Sequence, residues 1–365
     1  MPYRDYPFDK KLSLTLQKQL DRWQLFAPCL GANVTVIDSV HGKWNAASGY
    51  ADPDTKALMK VGGRFYIYSI TKTFTAVRIL QLAEAGTLDL DAPISSYLNN
   101  VSLPAGITVR RLLNHTSGVP SYTDLSDYTP SIRANPGKPW SYEHARRLTC
   151  TGKFDFEPGN GWHYSNTGYM LLARLIEVVT NQSLAHNMEE GVFAPLTLQS
   201  TYVAENIDKG SLVSGYCRYL NDEDAMENVI PRYHPGWCKT GLIVSTTEDT
   251  AKFFSRLFSS SLLNERSLVE MKSWVSSKVN PAPHTPPQPP FFRKPGYGLG
   301  LIIDPDWGYG RFFGHGGDGP GFTTMAIYLP DFHGRQVVLV VFTNTSMGGP
   351  PIYLTKDLLR VMKDA

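Results

Sequence analysis

Ser69-Ile70-Thr71-Lys72 puts a hydroxyl and an amine three residues apart, just after an aromatic run and just ahead of a helical pattern. From Lys72 to Glu84 the residues Phe74, Val77, Leu80, Leu82 and Ala83 recur near a 3.6 period. Residues three apart on a helix share a face, so the Lys72 amine is expected over the Ser69 oxygen. Burial weakens a lysine's hold on its proton, and the amine can then activate a serine that is otherwise a poor nucleophile. A serine at a helix start also has oriented backbone N–H groups at hand to stabilise an oxyanion. The pattern is short, and an N-capping serine followed by a solvated lysine spells it equally well.

Two later segments add weight. Tyr164-Ser165-Asn166 comes after a Phe156-Glu157-Pro158-Gly159 turn and opens a second amphipathic pattern from Met170 to Val179. Gly314-His315-Gly316-Gly317 sits in a loop-to-strand region between Phe312-Phe313 and Gly321-Phe322. In this order the three segments resemble the motif set of the serine β-lactamase and penicillin-binding protein superfamily. The resemblance is strongest to its class C-like branch, which holds family VIII carboxylesterases, D-aminopeptidases and D-amino-acid amidases. Arg111 to Pro120, Gly241 to Thr246 and Gly296-Tyr297-Gly298-Leu299-Gly300 agree with it, so that it runs from about residue 30 to about residue 345.

The resemblance implies roles. Ser69 is the expected nucleophile, with Lys72 as its proton acceptor or electrostatic activator. Tyr164 is the second candidate base; a phenol titrates near ~10, so it needs a neighbouring cation, which Lys72 supplies. Asn166 has an amide donor and an acceptor with which to hold Lys72 and the substrate's acyl amide, its alternative being a helix N-cap. His315 stands where many relatives carry lysine. A histidine is mostly neutral at pH 7, with an ordinary pKa near ~6.5, and suits hydrogen bonding or proton shuttling more than anchoring a carboxylate. Neutral esters, amides and amino-acid derivatives are therefore expected over β-lactams. Gly316 and Gly317 let substrate approach the backbone. The oxyanion hole would combine the Ser69 N–H with that of Asp318, by analogy. The Asp318 side chain departs from the family, which more often has a small or neutral residue there. A carboxylate beside a developing oxyanion opposes catalysis unless it points away; alternatively it binds a substrate ammonium group.

Lys239-Thr240-Gly241 spells a literal K-T-G, the usual third motif. The next residues, Leu242 to Asp249 and the helical Thr250 to Leu257, instead match a family segment in which Ser/Thr cap a helix. His315 is thus the expected third-motif residue. His115 falls in a helix-ending turn and is expected to cap and pack. The aromatic stretches Tyr122 to Tyr128 and Phe291-Phe292 are candidates for the acyl or leaving-group pocket.

With 365 residues and 42% hydrophobic content the chain can bury a sizeable core. Its 35 basic and 33 acidic residues leave a net charge of +2, no bias toward nucleic acid or acidic membranes. Neither is expected as a partner; a small ester or amide is. No window approaches the roughly eighteen apolar residues of a membrane span. The opening Met1-Pro2-Tyr3-Arg4-Asp5-Tyr6 lacks the apolar stretch of a secretory signal, so a cytoplasmic location is expected. The 4 cysteines have no C-x-x-C spacing, as suits reduced thiols, with a Cys217–Cys238 disulfide as the alternative. The 9 histidines form no H-x-x-x-H pair, and there is neither a P-loop nor a G-x-S-x-G elbow, so neither metal nor cofactor is expected.

Helical patterns at 8–23 and 353–363 bracket strand patterns at 32–37, 42–49, 65–68, 297–303, 311–313, 323–329 and 336–343. Helical patterns dominate between about 80 and 290, broken by loops such as 121–139 and by the proline-rich 281–290, which reads as a stiff extended loop. The expected fold is α/β (α+β), of the β-lactamase/transpeptidase type: an antiparallel sheet flanked by helices, plus a mainly helical domain. Residues 1–80 and 290–365 would form the first and 81–289 the second, with the active site at their junction. The expected activity is a serine hydrolase with an acyl-Ser69 intermediate, acting on short esters, small amides or D-amino-acid derivatives, with weak or no β-lactamase activity. The alternatives are a transacylase using the same intermediate, and a β-lactam-binding sensor without turnover, against which intact Lys72, Tyr164 and Asn166 count.

Overall fold

Val337 to Phe342, the best apolar run, is apolar on both sides because both sides are covered. Val337, Leu339 and Val341 face one core, while Val338, Val340 and Phe342 face another. A strand of that kind belongs in the middle of a sheet with packed layers on each face. The computed structural model, which describes residues 7–26, 30–99, 101, 103–218, 220, 225–278, 292–346 and 351–364, places it there. The proline-rich 281–290 and Phe291 lie outside the described residues.

Apart from the short pair Tyr216–Cys217 and Glu227–Asn228, the strands are β1 (Gly31–Asp38), β2 (Gly42–Asp52), β3 (Ala57–Leu58), β4 (Phe65–Tyr66), β5 (Tyr202–Ala204), β6 (Leu242–Ser245), β7 (Val275–Ser276), β8 (Gly296–Tyr297), β9 (Ile302–Asp304), β10 (Phe312–Gly319), β11 (Phe322–Phe332) and β12 (Arg335–Thr343). The main sheet runs β3-β2-β1-β12-β11-β10-β9-β8-β7, each pair antiparallel. The two ends of the chain meet at its centre, where β1 pairs β12 from Ala32↔Thr343 to Asp38↔Val337. Helices α1 (Lys10–Phe26) and, at the other end of the chain, Pro351–Lys363 cover one face; Leu12, Leu16 and Leu20 share that core with Ile352, Leu358 and Met362. The opposite face carries the helix Thr247–Phe258, whose Phe253, Phe254 and Leu257 join a core continuous with α2 (Thr71–Glu84) and α3 (Asn166–Thr180).

Three differences from the sequence reading bear on the site. The expected strand at 297–303 is a hairpin, β8 and β9, because the Gly298-Leu299-Gly300 turn crosses α2: Gly300 has φ +78°, and a Cβ on it would lie 2.4 Å from that of Ala76. The expected strand at 311–313 continues to Gly319, its glycine-rich second half held in register by β11 from His315↔Ala326 to Gly319↔Phe322. Within the stretch read as helical lie β5 and β6, which join β4 in a small sheet, β4-β6-β5. It pairs Phe65 with Ser245, and Ile67 N–H donates to Ile243 O at 3.0 Å, fixing the segment that leads to Ser69. Lys239-Thr240-Gly241 precedes β6 of this small sheet, whereas His315 lies on β10 of the main one. Cys150, Cys217 and Cys238 are free thiols, so Cys217 and Cys238 are unpaired.

Gly300→Ala combines a left-handed backbone with a methyl clash. It is expected to lower unfolding free energy by about 2 kcal/mol or more. Urea unfolding checks this; an unchanged midpoint would contradict the tight α2 crossing.

Candidate active site

Tyr68 has φ +44°, a left-handed conformation that non-glycine residues seldom adopt. It is held there from two sides: β4 pairs with β6 just upstream, and its hydroxyl donates to Pro320 O at 2.5 Å. Backbone strain of this kind gathers at functional sites because the surroundings must over-determine it. The result is a single 3-10 turn, Tyr68–Ile70, that runs straight into α2 and leaves Ser69 half-buried at the helix start. Strand β10 passes alongside. A Cβ on Gly317 would sit 2.2 Å from Ile67 O and 3.0 Å from Ser69 N, so only glycine lets the strand approach the nucleophile's amide.

Lys72 is fully buried, one helical turn along. Its Nζ donates to Ser69 Oγ at 3.0 Å and to Asn166 Oδ1 at 2.7 Å, and lies 4.8 Å from the centroid of the Tyr164 ring. Both acceptors are uncharged, so nothing in them offsets the loss of water around an ammonium. Burial lowers the lysine pKa to about 8, against a weaker opposing influence of Cys238. Burial pushes the Tyr164 phenol above its ordinary pKa, and the neighbouring Ser69 hydroxyl partly opposes that. Ser69 therefore stands between an amine that releases its proton readily and a phenol that keeps its own.

Helix α3 delivers Asn166. Its N-cap is Ser165, whose hydroxyl accepts from Gly168 N at 3.2 Å, so the Asn166 amide is free for the cluster. Asn166 Nδ2 donates to Thr123 Oγ1 at 2.9 Å, and its backbone N–H donates to Ser121 Oγ at 3.1 Å. Sequence reasoning missed Ser121 and Thr123; no local pattern marks a loop hydroxyl that reaches a helix start 43 residues away. His115, with φ +64°, closes the other side: its Nδ1 accepts from Ser165 N at 3.0 Å and its ring packs 4.4 Å from that of Tyr164. It packs and holds a turn, as its segment implied.

His315 is buried, and both of its ring nitrogens are bonded to protein. Nδ1 meets Gly316 O at 2.5 Å, and Nε2 meets the Tyr297 hydroxyl at 2.7 Å. A carbonyl only accepts, so Nδ1 carries the proton; Nε2 of the neutral ring then accepts from Tyr297. Burial and then the Lys72 charge push the His315 pKa down to about 3, opposed by the Gly316 carbonyl. The bond to Tyr297 ties β10 to β8 through this neutral ring, the hydrogen-bonding half of the expectation of hydrogen bonding or proton shuttling. Tyr297 stood out in the sequence only as part of a connecting segment.

Ser69 and Asn166 border a cleft of about 260 Å³ whose lining also includes Tyr122, Thr123, Tyr128, Ile132, Tyr233 and Asp318. The Tyr122 to Tyr128 stretch thus lines it. Phe292 does not: it packs on Phe312 in the core beneath the far face of the sheet. Asp318 is exposed at the cleft, with its Oδ1 accepting from Thr323 Oγ1 at 3.1 Å. Lys239 lies outside this lining, in a neighbouring depression with Glu143 and Arg174, its Nζ donating to Gly236 O at 2.7 Å. Among the described residues no group of three or more His, Cys, Asp or Glu side chains is arranged to hold a metal, and no helix is long and apolar enough to cross a membrane.

Comparison with known proteins agrees with this geometry. The Beta-lactamase family profile matches residues 24–358, and the chain belongs to that family. It is a hydrolase of the serine β-lactamase and penicillin-binding protein fold, in the class C-like branch that its motifs resemble. Penicillin-binding protein 4* of Bacillus subtilis is 28% identical over 323 residues, 84% of this chain and 67% of that protein. A D-stereospecific amidohydrolase from Streptomyces sp. superposes with a TM-score of 0.80 at 27% identity, covering 95% of this chain and 98% of that one. The D-amino acid amidase of Ochrobactrum anthropi SV3, in complex with L-phenylalanine amide, gives 0.84 at 25% identity, covering 97% and 99%.

One further contact braces the loop that carries Thr123. His163 lies between Asp155 (Nδ1 to Oδ2, 2.5 Å) and Asp124 (Nε2 to Oδ2, 3.2 Å). Burial disfavours its charge, but the bonds and charges of the two carboxylates outweigh that and raise its pKa to about 9. Its contribution to stability is present in full below the unfolded value of ~6.5 and is lost as pH rises through about 9. Urea midpoints measured from pH 6 to 10 should fall across that window in the wild type and fall less in Asp155→Asn. Identical profiles for the two would contradict the assignment.

Proposed function

We propose that this protein hydrolyses small esters and amides, D-amino-acid derivatives among them, through an acyl-Ser69 intermediate. The observation that carries this is the placement of Ser69 Oγ, 3.0 Å from a buried Lys72 amine that itself lies 4.8 Å from the Tyr164 ring centroid. In the neutral form Lys72 takes the Ser69 proton as Oγ attacks the substrate carbonyl. The Ser69 N–H, at the Gly317 approach, meets the developing oxyanion, with the Asp318 N–H as second donor by family analogy. Collapse of the tetrahedral species expels the alcohol or amine, which takes its proton from the Tyr164 phenol while Lys72 re-protonates Tyr164. Water then attacks the ester carbonyl by the reverse route and frees Ser69. Asn166 holds Lys72 in line throughout, and His315 holds β8 and β10 around the site.

Two features support the finer substrate choice. Among the described residues no lysine or arginine lines the cleft, and a lining without the fixed cation suited to a β-lactam carboxylate supports weak or no β-lactam turnover. The D-stereospecific amidohydrolase and the D-amino acid amidase match over nearly the whole chain, which supports amino-acid derivatives.

Ser69→Ala is expected to lower kcat/KM for a p-nitrophenyl short-chain ester by roughly 10³-fold or more. Equal rates for variant and wild type would falsify the acyl-enzyme assignment. With Lys72 as base, the logarithm of kcat/KM should climb with unit slope and level off above about pH 8. A flat profile from pH 6 to 9 would rule out a titrating base at this position. Tyr164→Phe should reduce turnover by about 10²-fold or more, most for poor leaving groups, since the phenol is the proton donor to them. A series of phenyl esters of graded leaving-group pKa reads this out; uniform loss across the series would contradict that role.

A further inference from the structure

Building on that acyl-enzyme reading, we propose that the Asp318 carboxylate binds the free ammonium group of the substrate. The preferred substrates are then amides and esters of amino acids with an unblocked amine. Among the described residues lining the Ser69 cleft, Asp318 is the one acidic or basic side chain. It comes directly after Gly317, which abuts the Ser69 amide, so its side chain stands at the end of the strand where the acyl group must lie. No ion pair among the described residues engages it. Its one side-chain donor is the Thr323 hydroxyl, whose single proton is also within reach of Thr345 O at 3.0 Å. The carboxylate thus keeps most of its acceptor capacity open toward the cleft. Desolvation by the surrounding protein raises its pKa, against the bonds from Thr323 and the Gly319 backbone.

The chemistry gives this group a sign. A bare carboxylate beside a forming oxyanion repels it and slows the attack on a neutral acyl group. An α-ammonium, one carbon from the reacting carbonyl, both pairs with the carboxylate and cancels that repulsion. The walls formed by Tyr68, Tyr122, Tyr128 and Tyr233 offer aromatic surface to the side chain beside the ammonium and are tolerant of a cation. A substrate carboxylate in the same place meets a like charge. One residue thereby selects for amines and against acids.

The test compares phenylalanine p-nitroanilide with its N-acetyl form, in D and L series, and a neutral p-nitrophenyl ester. Wild type should favour the free amine over the N-acetyl form by at least about tenfold in kcat/KM. Asp318→Asn should cut that ratio about tenfold, and Asp318→Glu should restore part of it. Equal or better cleavage of the N-acetyl form by wild type would overturn the proposal, as would an Asp318→Asn ratio within about threefold of the wild-type one. Should Asp318→Asn lose all activity, the wild-type ratio and Asp318→Glu still decide. Neutral-ester hydrolysis by wild type against Ser69→Ala tests the acyl-enzyme separately, so either idea can fail without the other.

Discussion

A lysine amine stripped of water, with only a hydroxyl and an amide oxygen for partners, is the constraint on which the rest of this structure depends. Lys72 has no exposed surface, and its bonds to Ser69 and Asn166 involve no counter-charge. The protonated form is therefore destabilised, which brings the pKa down to about 8 and makes a base available near neutral pH. Much of the surrounding packing serves to keep that position dry. The rings of Tyr164 and Tyr169 lie 4.8 and 5.5 Å from the amine, and Gly300 lets the β8–β9 turn press against α2 at Lys72 O. The same dryness fixes neighbouring protonation states. His115 and His315 both sit well below the ordinary histidine value, first through burial and then through the Lys72 charge.

The fold brings these parts together from distant stretches of chain. The strained Tyr68 turn is gripped by the small β4-β6-β5 sheet and by Pro320, the helix α3 presents Asn166, and β10 closes over the Ser69 amide. Each element contributes one group in a fixed direction, and none is a free loop end. The His115 bond to Ser165 and the His315 bond to Tyr297 lock the segments on either side of Tyr164. Preorganisation of this sort lets a hydroxyl and an amine act without reorganising during the reaction.

How much was legible in the sequence depended on the range of the forces involved. Ser69 and Lys72 are three residues apart on a helix, so their contact is local and the period alone predicts it. Tyr164, Asn166 and His315 were found by resemblance, and the structure brings them into one cluster with Ser69. Family and fold class agree with the expectation. Lys239 and His315 were told apart by the residues downstream of each, and the two lie in different elements: β6 leads into a capped helix while β10 pairs along the main sheet. The rest depends on tertiary approach. Nothing local marks Ser121, Thr123 or Tyr297 as partners of Asn166 and His315. Glycines at 314, 316, 317 and 319 hide the length of β10, because intrinsic strand preference is weak there and register with β11 supplies the order. Phe292 looked like a pocket residue from its aromatic neighbour and lies under the far face of the sheet.

Covalent trapping tests the role of the buried amine most directly. The protein would be quenched in acid during turnover of an activated ester, digested, and its peptides weighed. An acyl group is expected on the peptide bearing Ser69 in the wild type, and very little in a folded Lys72→Met protein over the same interval. Acylation of another peptide, or equal labelling of Ser69 when the buried amine is gone, would contradict it.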